Sequence, residues 1–118
     1  MELEVLYPEE GRILLQLHRR LLKAFMDILI LAEIKKNPVS GYDVITSIYR
    51  KYHLLPSSGS VYSLLYALER RGLVKGGWDE RRRIYMLTQK GEKTVEETLN
   101  SYRKIENFLT KIFMESSY

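Results

Sequence analysis

The chain has no cysteine among its 118 residues. Disulfide scaffolds, thiolate zinc sites and cysteine nucleophiles are therefore excluded. Prolines number only three, and no Pro/Gly-rich stretch separates one part from another, which points to a single domain over 1–118 with one core. No apolar run is long enough to cross a bilayer: the most apolar, LLKAFMDILILAEI at 21–34, is interrupted by Lys23, Asp27 and Glu33. The first residues, MELEVLYPEEGR, are acidic and lack the basic and apolar regions of a signal peptide, so a cytoplasmic protein without membrane association is expected. There are two histidines, His18 and His53, far apart in sequence and without a carboxylate motif. Neither metal ligation nor general-base catalysis is expected of them. Gly76-Gly77 has no following helix to make a phosphate loop, and no Ser-His-Asp signature occurs. The expectation is a protein that is not an enzyme, with no catalytic residue, no metal and no cofactor.

What is present is basic charge, unevenly placed. The formal net charge is +4, but residues 1–10 carry four acids and no base, so the remainder has 19 basic residues against 11 acidic, a net of +8. A basic body behind an acidic start is a common footprint of nucleic-acid binding.

Apolar periodicity gives the order of elements. Pro8, Glu9 and Glu10 suit a helix start, and a helical pattern runs from there to about Lys36, as one helix or as two broken near 19–22. Asn37 and Pro38 end it. In SGYDVITSIYRKYH, Ser40 and Asp43 form a capping arrangement, and Ile45, Ile48, Tyr49 and Tyr52 recur at i, i+3, i+4, i+7. Tyr42, Tyr49 and Tyr52 read as edges of the core whose hydroxyls reach solvent. A short loop, 53–57, leads to a helix with the stripe Val61, Leu64, Leu65 and Leu68, capped by Ser57 and Ser58 and ended by a left-handed Gly72. Next, LVKGGWDERRRIYMLT reads as a hairpin, with Trp78 and Tyr85 covering the core beneath it. Thr88 caps one long helix in which Val95, Leu99, Tyr102, Ile105, Leu109 and Ile112 recur at spacings of 4, 3, 3, 4 and 3.

Two short helices joined by a tight loop, then a hairpin, is the arrangement of a winged helix-turn-helix, whose second helix enters the major groove while the hairpin touches the flanking backbone or minor groove. The polar face of the 58–70 helix suits that task. Ser58 and Gly59 are small enough for close approach. Ser60, Tyr62, Ser63 and Tyr66 carry hydroxyls for base edges and phosphates, and Arg70 can grip guanine or phosphate with two prongs. Arg81, Arg82 and Arg83 at the hairpin tip are candidates for backbone contact, against the plainer reading of a solvated turn with local ion pairs. Strand alternation groups Arg81 and Arg83 against Arg82.

The segments LLKAFMDILILAEI, SGYDVI, GSVYSLLYALERRGLV and RRRIYMLTQKGE together resemble the PadR family of winged-helix transcriptional regulators over roughly 22–92. The resemblance implies a mainly α winged helix-turn-helix with a small β-hairpin at about 22–91. It also implies a homodimer that binds double-stranded operator DNA, usually as a repressor, with C-terminal helices making most of the dimer interface. Ser58 stands where many members have proline, and the single C-terminal helix resembles the shorter subgroup. Segments 8–21 and 92–115 are then the expected dimerisation helices, the second presenting the stripe from Val95 to Ile112. A small-molecule effector is compatible with the family but is demanded by no residue pattern here. Two alternatives remain: an architectural protein that coats DNA, which the Ser/Tyr face disfavours, and a module that binds a protein partner, which leaves the arginines unexplained.

Overall fold

A computed structural model describes residues 11–116. The expected helix start at Pro8 lies outside the described residues. The elements are α1 (Arg12–Ala24), α2 (Met26–Lys36), α3 (Gly41–Tyr52), α4 (Ser58–Arg70), β1 (Val74–Asp79), β2 (Arg82–Leu87), α5 (Gln89–Asn100) and α6 (Tyr102–Ser116).

The N-terminal helical region is two helices, and they part at Phe25 rather than near 19–22. Its two apolar stripes are out of register. In α1 the stripe is Leu14, Leu17, Leu21 and on to Phe25, whereas α2 buries Met26, Ile30, Leu31 and Ile34. Phe25 and Met26 are sequence neighbours and stand about 100° apart on a continuous helix. The distortion at Phe25 (φ −106°, ψ 14°) lets each stripe face its own way, while Phe25 N–H still donates to Leu21 O at 2.9 Å.

Helix α2 is the centre of the molecule, packed by α3, α4, α5 and β2. Its Glu33 carboxylate binds it to α3, accepting from the Ser47 hydroxyl at 2.8 Å and from the Lys51 ammonium. In α3 the capping arrangement is present in both directions. Ser40 Oγ accepts from Asp43 N–H at 3.2 Å, and the Asp43 carboxylate accepts from Ser40 N–H at 3.0 Å. Gly41, Val44 and Ile48 form its buried face. Ile45 is half-buried, but Tyr42, Tyr49 and Tyr52 are exposed, so the buried stripe is turned from the expected one. Ile48 is common to both stripes; at the core the smaller Val44 takes the place of the bulkier tyrosines.

Helix α4 buries Val61, Leu65 and Leu68 with Leu64 at the edge, as its spacing demands. It ends in a Schellman motif. Gly72 N–H donates to Glu69 O and Leu73 N–H to Leu68 O, both at 3.0 Å, with Gly72 at φ +77°, where a β-carbon is strained. The chain then enters an antiparallel hairpin in register from Val74↔Leu87 to Asp79↔Arg82, turned by Glu80 and Arg81, with Glu80 left-handed at φ 57°. A bridge between Val39 and Tyr85 adds a short third edge.

Thr88 caps α5 by accepting Gly91 N–H at 3.1 Å and donates its own hydroxyl to Gly72 O at 2.6 Å, so the cap also ties α5 to the end of α4. The single long C-terminal helix is divided at Ser101 into α5 and α6. The hydroxyls of Thr94, Thr98 and Ser101 each donate to the carbonyl four residues back, at 2.8–2.9 Å, a pattern that bends helices. Val95 is buried in the subunit's own core at 1% exposure, so the stripe open to a second copy begins at Leu99. Beyond it, Tyr102 and Ile112 are exposed, as are Phe108, Phe113 and Met114, while Ile105 and Leu109 are half-buried.

Candidate nucleic-acid interface

Burial of Val61, Leu65 and Leu68 fixes the rotation of α4 about its axis, and that rotation decides what meets solvent. Ser58, Gly59, Ser60, Tyr62, Ser63, Tyr66 and Arg70 are all exposed, and Gly59, Ser60 and Ser63 also line a groove that α4 forms with Arg19, Leu22 and Lys23 of α1. Ser57 Oγ accepts Ser60 N–H at 3.3 Å and closes the first turn, so the Ser58 hydroxyl is not the cap. The Arg70 guanidinium lies over the Tyr66 ring at 5.6 Å, which holds the arginine along the exposed face. Tyr62 is placed by α3: its ring lies so close to Gly41 that a β-carbon there would come within 2.4 Å of it. The glycine of the Gly41-Tyr42-Asp43 triplet thus permits the close approach of α3 and α4.

The three wing arginines have three different surroundings, not the two that alternation implies. Arg82 reaches back to the start of α3, with Nη2 2.6 Å from Asp43 Oδ2 and 3.1 Å from Ser40 Oγ. The Asp43 carboxyl is held below the usual aspartate range, first by the hydrogen bond from Ser40 N–H and further by Arg82. Arg83 reaches to the end of α4, donating to Glu69 Oε2 at 2.8 Å, and the same oxygen accepts Gly76 N–H at 3.1 Å. Partial burial alone would raise the Glu69 pKa, but the Gly76 N–H and Arg83 outweigh it and lower it. Arg81 is exposed at the turn, apart from the carboxylates of Asp43 and Glu69 that hold its two neighbours.

Tyr85 lies in the core as expected, but Trp78 does not cover it: the indole is 70% exposed. The strand places Trp78 on the core-facing side, paired with Arg83, but four residues beyond Val74, the last buried residue of β1, and past the rim of the core. The carboxylates that order the wing, Asp43 and Glu69, carry no signal of that role in the sequence. Their partners lie 39 and 14 residues away, beyond the reach of any local spacing.

His18 and His53 line one apolar groove between α1 and the end of α3, with Leu14, Leu21 and Phe25. Among the described residues no group of three or more His, Asp or Glu side chains is placed to hold a metal. No helix among them is long and apolar enough to cross a membrane.

The family model described as the transcriptional regulator PadR-like family matches residues 30–97. A solved PadR-like transcriptional regulator from Bacillus cereus is 25% identical, with a TM-score of 0.70, the match covering 80% of this chain and 96% of that one. A PadR family transcriptional regulator from Eggerthella lenta is 21% identical with a TM-score of 0.70, covering 87% and 90%. Bacillus subtilis PadR, solved in complex with operator DNA, is 21% identical with a TM-score of 0.56, covering 63% of this chain and 46% of that one. None of the curated proteins matches this chain.

Proposed function

The chain belongs to the PadR-like family of transcriptional regulators, and from that premise we propose that it is a dimeric cytoplasmic repressor that reads a two-fold symmetric operator through α4. The observation that carries this reading is the division of α4 into two faces. Its aliphatic stripe is sealed in the core, and its opposite face exposes hydroxyls, a glycine and an arginine held over a tyrosine. Such a face can enter a major groove and match donors and acceptors on base edges. Arg81 adds a phosphate contact at the wing.

Dimerisation is the task of the elements that the body leaves uncovered. Helix α1 buries none of its residues, and α6 joins the body through α5 while exposing Tyr102, Phe108 and Met114. Each apolar face gains by burial, and a second copy covers both at once in a symmetric interface. Two α4 helices set about 34–36 Å apart then meet successive major grooves on one side of the duplex.

Selection of bound sequences from a random duplex pool tests this reading. The expected result is a two-fold symmetric consensus, with Arg70→Ala losing about 1–3 kcal/mol on it and relaxing preference at one base position. No enrichment of any sequence would overturn it.

A further inference from the structure

The wing is ordered yet electrically balanced. Its four cations, Lys75, Arg81, Arg82 and Arg83, are matched in number by four carboxylates: Asp79 and Glu80 on the hairpin itself, Asp43 of α3 paired with Arg82, and Glu69 of α4 paired with Arg83. Of the arginines, Arg81 is the one left to a phosphate. What the wing does offer is the chain's one tryptophan, 70% exposed and built into place. Arg83 lies over the Trp78 ring at 5.5 Å and the Tyr85 ring at 5.8 Å, and Glu69 holds its guanidinium at 2.8 Å. Gly76 gives that guanidinium room, since a β-carbon there would come within 2.7 Å of it. Glu69 is the sequence neighbour of Arg70 on the exposed face of α4, so the platform stands beside the reading helix.

We propose that Trp78 is a direct DNA contact, its indole resting in the minor groove next to the major groove that α4 enters, with Arg83 as its positioning residue. This rests on the DNA-reading role of α4 proposed above. An indole suits that groove. Its flat apolar body packs against deoxyribose walls, and its single N–H, a donor only, meets a floor whose shared features are the adenine N3 and thymine O2 acceptors. The 2-amino group of guanine obstructs that floor, so A·T steps are favoured under the wing. The duplex is preferred to a protein partner as occupant because the platform is continuous with α4.

The test uses the full chain and a selected duplex of about 30 base pairs, three helical turns. Trp78→Ala should bind it about tenfold more weakly, the scale of one aromatic contact to a nucleic acid, and Trp78→Phe should recover part of the loss. Replacing guanine by inosine under the wing removes the 2-amino group from the minor groove and keeps the O6 and N7 acceptors of the major-groove edge. It should tighten binding of the wild type but not of Trp78→Ala. In the complex, tryptophan emission, which comes from Trp78 alone, should become shielded from acrylamide. Wild-type affinity in Trp78→Ala with Arg70→Ala still impaired overturns this inference and leaves the role of α4 standing. An indole that stays open to quencher in the complex also overturns it and leaves the wing to a protein partner. Failure of the wild type to bind any duplex overturns both.

Discussion

Gly59 separates the demands of folding from those of DNA binding. It is the second residue of α4, after the Ser57 cap and Ser58, and the fold has no evident use for a glycine there. A β-carbon built on it meets nothing nearer than Ser57 Oγ at 3.7 Å, an ordinary contact. Its backbone is helical and not left-handed, so alanine fits without strain. At such a position Gly→Ala stabilises by about 0.4–1 kcal/mol, chiefly by restricting the unfolded chain. For a domain of this size that raises Tm by roughly 2–5 °C. The same methyl projects from the face assigned to the major groove, where a glycine lets the backbone come close to a ligand. Gly59→Ala is therefore expected to melt higher and to bind the selected duplex less tightly, by about 1–3 kcal/mol, the scale of one base contact.

Calorimetry at matched protein concentrations gives the first quantity, since a dimer's melting temperature depends on concentration, and fluorescence anisotropy with a labelled duplex gives the second. A variant that melts higher and binds with wild-type affinity refutes placement of the start of α4 against DNA. One that melts lower refutes the reasoning from space. Gly41→Ala is the opposing case: its methyl collides with the Tyr62 ring, so stability and binding should fall together.

The wing arginines differ in their surroundings and should differ in salt response. Arg81→Gln is expected to flatten the dependence of log affinity on log salt by about one unit for each phosphate it ceases to neutralise, while Arg83→Gln weakens binding with little change in slope, because Glu69 already takes its charge. Glu33 gives a pH dependence. Burial acts to raise its pKa, but hydrogen bonds from Lys51 and Ser47 and the charges of Lys51 and Lys36 outweigh it, so the folded value lies below the ordinary 4.5. A depressed carboxyl contributes its stability above the ordinary value and loses it as pH falls through the folded one, so urea midpoints should drop with acid below about pH 5 in the wild type and less in Glu33→Gln. The variant should also be about 1–2 kcal/mol less stable at neutral pH. Leu99→Asp combined with Leu109→Asp should leave a folded monomer by sedimentation that binds the operator weakly. An unfolded chain would instead place those leucines in the subunit's own core.

The sequence was most legible where the signal is local. The stripe of α4, the Ser40/Asp43 capping box, the Thr88 cap and the left-handed Gly72 all arise from residues within one or two turns of each other, where spacing alone determines contact. The breaks at Phe25 and Ser101 were harder to see, because each half of a broken helix keeps its own periodicity and a broad apolar stripe hides the change of phase. The Thr94, Thr98 and Ser101 hydroxyls were in view at spacings of 4 and 3, but their bending effect appears only when they bond back to the helix. The fates of Val95, Trp78, Arg82 and Arg83 were not legible. Each is decided by packing between elements far apart in sequence: α5 against α2 and β2 for Val95, the rim of the core for Trp78, and the carboxylates of α3 and α4 for the arginines.

Those long-range links also divide the molecule mechanically. Asp43 with Arg82 joins the wing to α3, Glu69 with Arg83 joins it to α4, the Tyr62 ring on Gly41 joins α4 to α3, and the Thr88 hydroxyl joins α4 to α5. The surfaces proposed to meet DNA thus belong to one cross-braced body. Helices α1 and α6 attach to that body through the distortions at Phe25 and Ser101. In a dimer held by α1 and α6, the bracing sets how each half-site is read, and the geometry at Phe25 and Ser101 sets the distance between the two reading helices. Substitutions in the braces should then change affinity for a single half-site. Substitutions at the two distortions should leave half-site affinity alone and change the preferred spacing between half-sites.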